Sequence, residues 1–401
     1  MGYVSVKVHN SALRIIQLLM CLALIVPPRP YPQLRLLYTG AMLVYLGLIF
    51  RWRIAFNYTV DYDRLNDPLS YVLDLVNFMA LVVSHMVVSF ELIWQNRSNQ
   101  IEKQFSHIQH VLCERTGHKL NTRSNRLKTN IVFILLLLRV LMLLGTTVYN
   151  NSRANTSLLL ISNFYSQIVL ILRCNEFTLH SAFVLTIYQE LHDAASSVIL
   201  KLESSRYETW SLRRLALKHI ATLQQLHLLL WQIQRDIERN FERSLVMLML
   251  KYFIDTSVLP YWAYVKKIHT NNVPMQIWCL TEELGILLEI SIPCWFWTRC
   301  EQLQRKFRAV FHVISVDRRN EQLNTALLRI SAQLGQESCQ FRVGGLVPIN
   351  NNMLGKFLFG VLSYTLICIQ FWITYTVKTR GDAEVDETSV EQSRLNKTHT
   401  S

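Results

Sequence analysis

Ser363, Gln370 and Thr374 stand at i, i+7 and i+11 in an otherwise apolar and aromatic run that includes Leu362, Leu366, Ile367, Ile369, Phe371 and Trp372. That spacing puts the three polar groups on one face of a 3.6-residue helix. An amide facing lipid without a partner is costly, so Gln370 must meet protein or water. Two arrangements satisfy it. It can hydrogen-bond to a neighbouring helix and hold a bundle together. Alternatively, its dipole can line an aqueous conduit that bulky apolar neighbours close by dewetting. Acids and aromatics also recur in other apolar runs. They are Tyr71, Asp74, Asn77 and Phe78; Tyr149; Phe164, Tyr165 and Gln167; Asp255, Tyr261 and Trp262; and Gln276, Trp278, Glu282 and Glu283. Aromatic walls with a few polar groups suit a small organic ligand, and intramembrane acids are functional candidates. Asp74, Asp255 and Glu282 together would favour a cationic, alkaloid-like molecule through charge and cation–π contacts. The plainer alternative makes Tyr and Trp interfacial belt residues and has the acids cap helices or pair with Lys266 and Lys267.

These residues must be positioned by membrane helices. The chain has 401 residues, of which 51% are hydrophobic and only 17% charged, against about 25% charged in an ordinary soluble domain. A spanning helix needs roughly 20 mostly apolar residues. Seven segments meet that length, at 36–56, 69–94, 130–150, 157–188, 244–266, 275–298 and 353–377. The expected fold is therefore all-α and polytopic. The apolar run Ile15–Val26 is too short to span and ends at Pro27-Pro28. It reads as an interfacial or re-entrant segment rather than a signal peptide, because its charged start is thin and a small-residue cleavage site is missing.

Basic residues fix an orientation. The loops on the side of the N-terminus hold 27 Lys and Arg, against 10 on the other side. By the positive-inside rule, the N-terminus lies inside and the C-terminus outside. This makes 1–35 a cytoplasmic segment, 299–352 a cytosolic helical region and 378–401 an extracellular tail. Sequons at Asn57, Asn150, Asn155 and Asn396 fall outside and one at Asn96 inside, so Asn57, Asn155 and Asn396 are expected glycosylation sites. A G-protein-coupled receptor has its N-terminus outside, so the charge count argues against that class. The net charge of +13 is spread between apolar runs and does not form the basic block of a nucleic-acid binder. The eight cysteines show no metal-ligand spacing, no outside pair for a disulfide, and no cofactor site. Neither HExxH, GxSxG nor a phosphate-binding glycine loop occurs, so the chain does not read as an enzyme. Within 191–242, Leu223, Leu226, Leu230, Ile233 and Ile237 step by 3, 4, 3, 4, the seam of a coiled coil. It serves either a helix packed on its own subunit or a cytosolic layer that joins subunits.

The run Ser363-Tyr364-Thr365-Leu366-Ile367-Cys368-Ile369-Gln370-Phe371 resembles the TYhhhhhQF signature of insect gustatory receptors, with Ser363 in place of Thr, and residues 341–354 resemble the hairpin that leads into it. The resemblance implies a gustatory chemoreceptor of the plasma membrane, in gustatory neurons. It would be a tastant-gated cation channel, assembled as a homotetramer or with related subunits. Four copies of the last helix would surround the pore, with Ser363, Gln370, Phe371 and Thr374 as pore and gate positions. The ligand pocket would lie in the outer half of each subunit, among Tyr71, Asp74, Asn77, Phe164, Tyr165, Asp255, Tyr261, Trp262, Trp278 and Glu282. Sugar-sensing members carry Glu after the motif Tyr; here it is Thr365, so the implied ligand is bitter or aversive. Lys356 shares the Gln370 face, and either snorkels away or is turned aside by a hinge. The competing classes are a metabotropic seven-helix receptor and a secondary transporter, the latter expected to show two homologous halves.

Overall fold

The computed structural model describes residues 3–23, 25–27, 31–59, 68–95, 97–116, 122–151, 157–204, 210–270, 273–312, 321–337 and 340–398. Those residues form α1 (Tyr3–Leu22), α2 (Pro32–Thr59), α3 (Pro68–Trp94), α4 (Ser98–Thr116), α5 (Thr122–Asn151), α6 (Ser157–Ser204), α7 (Trp210–Thr270), α8 (Val273–His312), α9 (Glu321–Gln336), a two-stranded hairpin of β1 (Arg342–Val343) and β2 (Val347–Pro348), and α10 (Asn351–Thr398). Each of the seven expected segments falls within one helix. That is the structure a chain must adopt where lipid offers no partner to a peptide group. Among the described residues, five helical stretches are long and apolar enough to cross a membrane: Pro32–Arg53, Leu69–Trp94, Arg123–Gly145, Asn163–Leu200 and Asn351–Lys378. The apolar parts of α7 and α8 carry Lys251, Asp255, Glu282, Glu283 and Glu289.

α6 is the axis of the fold. Of its most apolar 18 residues, 94% are buried inside the chain, and α1, α2, α3, α5, α7 and α8 all pack against it. A helix apolar on all sides belongs in a core. The hydroxyls and amide of Asn175, Thr178, Ser181 and Thr186 bond back to the carbonyls of Ile171, Cys174, Phe177 and Ala182, so these groups are satisfied without water.

α7 runs 61 residues without interruption, past Pro260. Its lower part carries the 3, 4 seam. All five seam residues are at most 2% exposed within the single chain, so the seam packs on its own subunit and is not an exposed joint between copies. α4 faces it with Ile101, Phe105, Ile108 and Leu112, and α9 contributes Leu327, Ile330 and Leu334, all buried. We expect Leu230→Ala to destabilise the chain by about 2–5 kcal/mol, because the cavity left in a packed core cannot close fully. A lowered melting temperature of detergent-purified protein would report it. α1 also docks on this end of the bundle, burying Ala12, Leu13, Ile16 and Met20. The short apolar run near the N-terminus is thus one face of an amphipathic helix that completes the core.

The hairpin turns the chain into α10. Gly344 and Gly345 have φ of 56° and 71°, and the Leu346 amide donates to the Val343 carbonyl at 3.0 Å. This is a two-residue turn of the mirror-image kind that suits twisted strands and needs residues tolerant of positive φ. Phe341 anchors it between Phe177 and Trp297, with ring centroids at 5.0 and 4.7 Å. The Asn350 side chain caps α10 by accepting from the Met353 amide at 2.9 Å, as an N-cap residue does. Its amide also donates to Glu301 at 3.5 Å, and burial pushes the Glu301 carboxyl above its ordinary range.

Candidate functional site

A cavity of about 220 Å³ opens among α2, α3, α5, α6, α7 and α8, in the half of the bundle away from α4 and α9. Its apolar wall is Phe78, Leu81, Leu143, Phe164, Leu259, Trp262, Trp278 and Ile286. Its polar wall is built from charge pairs. Arg53 of α2 meets Asp74 of α3. Lys251 meets Asp255 one turn along α7 and also donates to Asn77 at 2.7 Å. Arg139 of α5 donates to Glu282 of α8 at 2.5 Å, and its other edge lies 3.5 Å from Glu289. Burying any of these charges alone would be prohibitive, and the pairing makes each tolerable. Asn163, Gln167 and Thr147 complete the lining.

Seven of the ten expected pocket positions meet here: Asp74, Asn77, Phe164, Asp255, Trp262, Trp278 and Glu282. Phe78 and Gln167 join them. Three positions do not. Tyr71 lies 38% exposed on α3. Tyr165 turns to the other side of α6, edge-on to Tyr45 with centroids at 5.0 Å and tilted to His85 at 5.5 Å. Tyr261 is fully buried on the far face of α7, its hydroxyl 3.3 Å from that of Ser70. On a helix, one residue from Trp262 is a 100° turn, which is why adjacent aromatics part company. Sequence reasoning missed Arg53, Arg139 and Lys251. The signal was present, since an intramembrane acid calls for an intramembrane base, but the bases sought for it were Lys266 and Lys267. The side chains of Tyr149, Lys266, Lys267, Asn57, Asn155 and Asn396 lie outside those described.

Among the described residues, α10 packs chiefly on α7 and α8. Thr365 donates to the Ser257 carbonyl of α7 at 3.1 Å, in the turn ahead of Pro260, where a proline loosens the helical ladder. Trp372 is buried edge-on to Tyr264 at 5.7 Å and forms a small apolar cluster with Tyr261 and Val265. Phe253 of α7 packs edge-on to Phe357 and Tyr364. The opposite face is open: Lys356, Gln370 and Thr374 are exposed, Ser363 is half-exposed, and Phe371 is 65% exposed. Thr374 lies 18 residues beyond Lys356, five helical turns, so both share one side of the helix with Ser363 and Gln370. α7 therefore has two working faces. Lys251, Asp255, Leu259 and Trp262 look into the cavity, while Phe253, Ser257, Tyr261 and Tyr264 hold α10.

Helices long and apolar enough to cross a membrane, packed around a cavity of mixed aromatic and polar lining, are the architecture of a membrane receptor. The 7tm Chemosensory receptor family matches residues 12–375. A Drosophila melanogaster protein named as gustatory receptor 98a is 42% identical over 346 residues, covering 86% of this chain and 87% of that one. A second from the same organism, named as gustatory receptor 98b, is 26% identical over 149 residues, 35% of this chain and 36% of the relative. Among solved structures, the olfactory receptor OR5 of Machilis hrabei shares the fold. Its complex with eugenol has a TM-score of 0.58 at 11% identity, covering 92% of this chain and 98% of that one. A further structure of the same receptor gives 0.61, with 90% and 99% covered. The chain belongs to the insect gustatory receptor family of chemosensory membrane receptors, whose members are receptors and not enzymes.

Proposed function

We propose that the chain is a tastant-gated, non-selective cation channel of the plasma membrane, in which several copies place α10 around a central pore and the cavity in each copy takes the ligand. One observation carries this reading. α10 is held along one side by α7 and α8, while its other side leaves Lys356, Gln370, Phe371 and Thr374 exposed and Ser363 half-exposed among the described residues. A stripe containing an amide and hydroxyls is poorly suited to lipid. Around a symmetry axis the same stripe lines water, and Phe371 supplies an apolar closure. The N-terminus would lie in the cytosol, with Asn57, Asn155 and Asn396 outside. Residues 299–352 would form part of a cytosolic helical layer, 353–377 the pore segment and 378–401 an outer tail.

Ligand binding opens such a pore only if the open arrangement is bound more tightly. α7 offers the physical link, since it forms a wall of the cavity and the support of α10. Thr365 in place of the Glu expected of sugar-sensing relatives favours a bitter or aversive ligand, and gustatory neurons are the natural site of expression. The test is current recording in a heterologous cell over a tastant panel, with Gln370→Ala alongside the parent. We expect a cation current whose relative sodium, potassium and calcium permeabilities change in the variant. An unchanged permeability sequence removes Gln370 from the pore.

A further inference from the structure

We propose that the cavity takes a small zwitterion with an apolar side chain, of the kind an amino acid presents, and rejects molecules that carry only one of its two charges. This rests on the receptor reading above and specifies its ligand. Asp74, Asp255 and Glu282 at first sight suggest a cation site. In the structure each is already engaged, by Arg53, Lys251 and Arg139 respectively. The lining therefore holds three acids and three bases, and its formal charge is balanced. A cationic ligand entering it would compete with a resident base for an acid, and would leave one positive charge in excess inside a low-dielectric site. An anion would do the reverse. A zwitterion instead inserts between the members of a pair. Its ammonium faces the acid and its carboxylate the base, so every charge keeps an opposite partner.

Two further features fit that class. Asn163 Oδ1, Gln167 Oε1, Glu282 Oε1 and Trp278 Nε1 are buried without a hydrogen-bond partner among the described residues. They offer three acceptors for an ammonium and one donor for a carboxylate. Phe78, Phe164, Trp262 and Trp278 line the same cavity and leave a surface for an apolar side chain. The volume, about 220 Å³, lies below the roughly 300–1,000 Å³ of sites for drug-sized ligands, which favours a compact molecule. Glu289 reaches Arg139 from beyond the lining, and Glu283 adjoins Glu282 on α8. Excess negative charge felt from either would favour an amine, and the experiment includes that arm.

The purified full-length receptor in detergent is assayed for thermal stabilisation by leucine, phenylalanine and tryptophan, by the three matching amines that lack the carboxylate, and by the three matching acids that lack the ammonium. Whole-cell currents are recorded with the same nine compounds. At least one amino acid is expected to stabilise the protein at a concentration about tenfold or more below its amine and its acid. Lys251→Met leaves Asp255 without its base and is expected to move the preference towards the amine. Lys251→Met with Asp255→Asn rebalances the site and returns preference towards the zwitterion, which separates charge from general damage to the fold. Stabilisation by an amine or an acid at least as strong as by its amino acid, or by none of the three amino acids, overturns the proposal. Stabilisation by an amino acid without any current upholds the ligand class and removes the channel reading. A current opened by an amine and not by its amino acid upholds the channel and removes the ligand class.

Discussion

Replacing Arg173 by Met is expected to abolish assembly of the folded receptor, with a loss of about 3–5 kcal/mol from the ion network it centres. Its side chain is wholly buried. The guanidinium donates to Glu176 at 2.7 Å, Glu91 at 3.1 Å and Ser244 Oγ at 3.3 Å, and also to the Asn240 carbonyl. It lies 3.9 Å over the Phe241 ring. Glu91 in turn accepts from the Arg243 and Ser244 amides, each at 3.1 Å, and Glu176 from Ser98 at 2.6 Å. One side chain thus ties together α3, α6, α7 and the first turn of α4. Methionine fills much of the volume but leaves two carboxylates buried without their cation, which is the expensive half of breaking a buried pair. Arg173→Lys is expected to rescue little, because an ammonium cannot serve these partners with a planar fork. Adding Glu91→Gln and Glu176→Gln to Arg173→Met should recover part of the yield. Size-exclusion profiles and melting temperatures of detergent extracts measure this. A monodisperse Arg173→Met protein with the parent melting temperature would show that the network is dispensable.

In the channel proposed above, Trp372→Ala is expected to separate binding from opening. Trp372 fills the contact between α10 and the far face of α7, on the side opposite the cavity wall. Trp372 does not itself line the cavity, and of the lining residues only Trp262 packs on its cluster among the described residues, so ligand-induced thermal stabilisation should largely persist. The push from α7 to α10 should weaken, and coupling between two sites in one protein is typically worth about 1–3 kcal/mol. We expect the concentration for half-maximal current to rise about tenfold or more while the stabilising concentration stays within about twofold. Trp372→Phe, which keeps a ring against Tyr264, should lie close to the parent. Equal weakening of binding and current in Trp372→Ala would assign the residue to general stability instead of transmission.

Hydrophobic runs of spanning length are one-dimensional information, and each of the seven found falls inside one helix, α2, α3, α5, α6, α7, α8 or α10. The polar stripe of α10 was likewise legible, because a fixed 100° per residue converts spacing into a face. What spacing cannot say is which partner a face meets. The 3, 4 seam around Leu230 is equally compatible with a joint between subunits and with internal packing. Only the placement of α4 and α9 around it decided for the second. The fourth segment carries Arg173 and Glu176 within an apolar run, and the structure accommodates both by burying them inside the chain.

The cavity shows the same division. The amino-acid sequence by itself determined a helical membrane protein, the places of its apolar helical segments and the presence of acids and aromatics within them, since these follow from the periodicity of one helix and the cost of exposing a peptide group to lipid. How far α6, α7, α8 and α10 run beyond those segments came from the structure. The tertiary structure alone decided that Asp74, Asp255 and Glu282 are neutralised by Arg53, Lys251 and Arg139, and that Tyr165 and Tyr261 turn away while Phe164 and Trp262 turn in. Two of those three pairs join residues 21 and 143 positions apart on different helices, and Coulomb attraction depends on distance in space, which the order of residues along the chain does not contain.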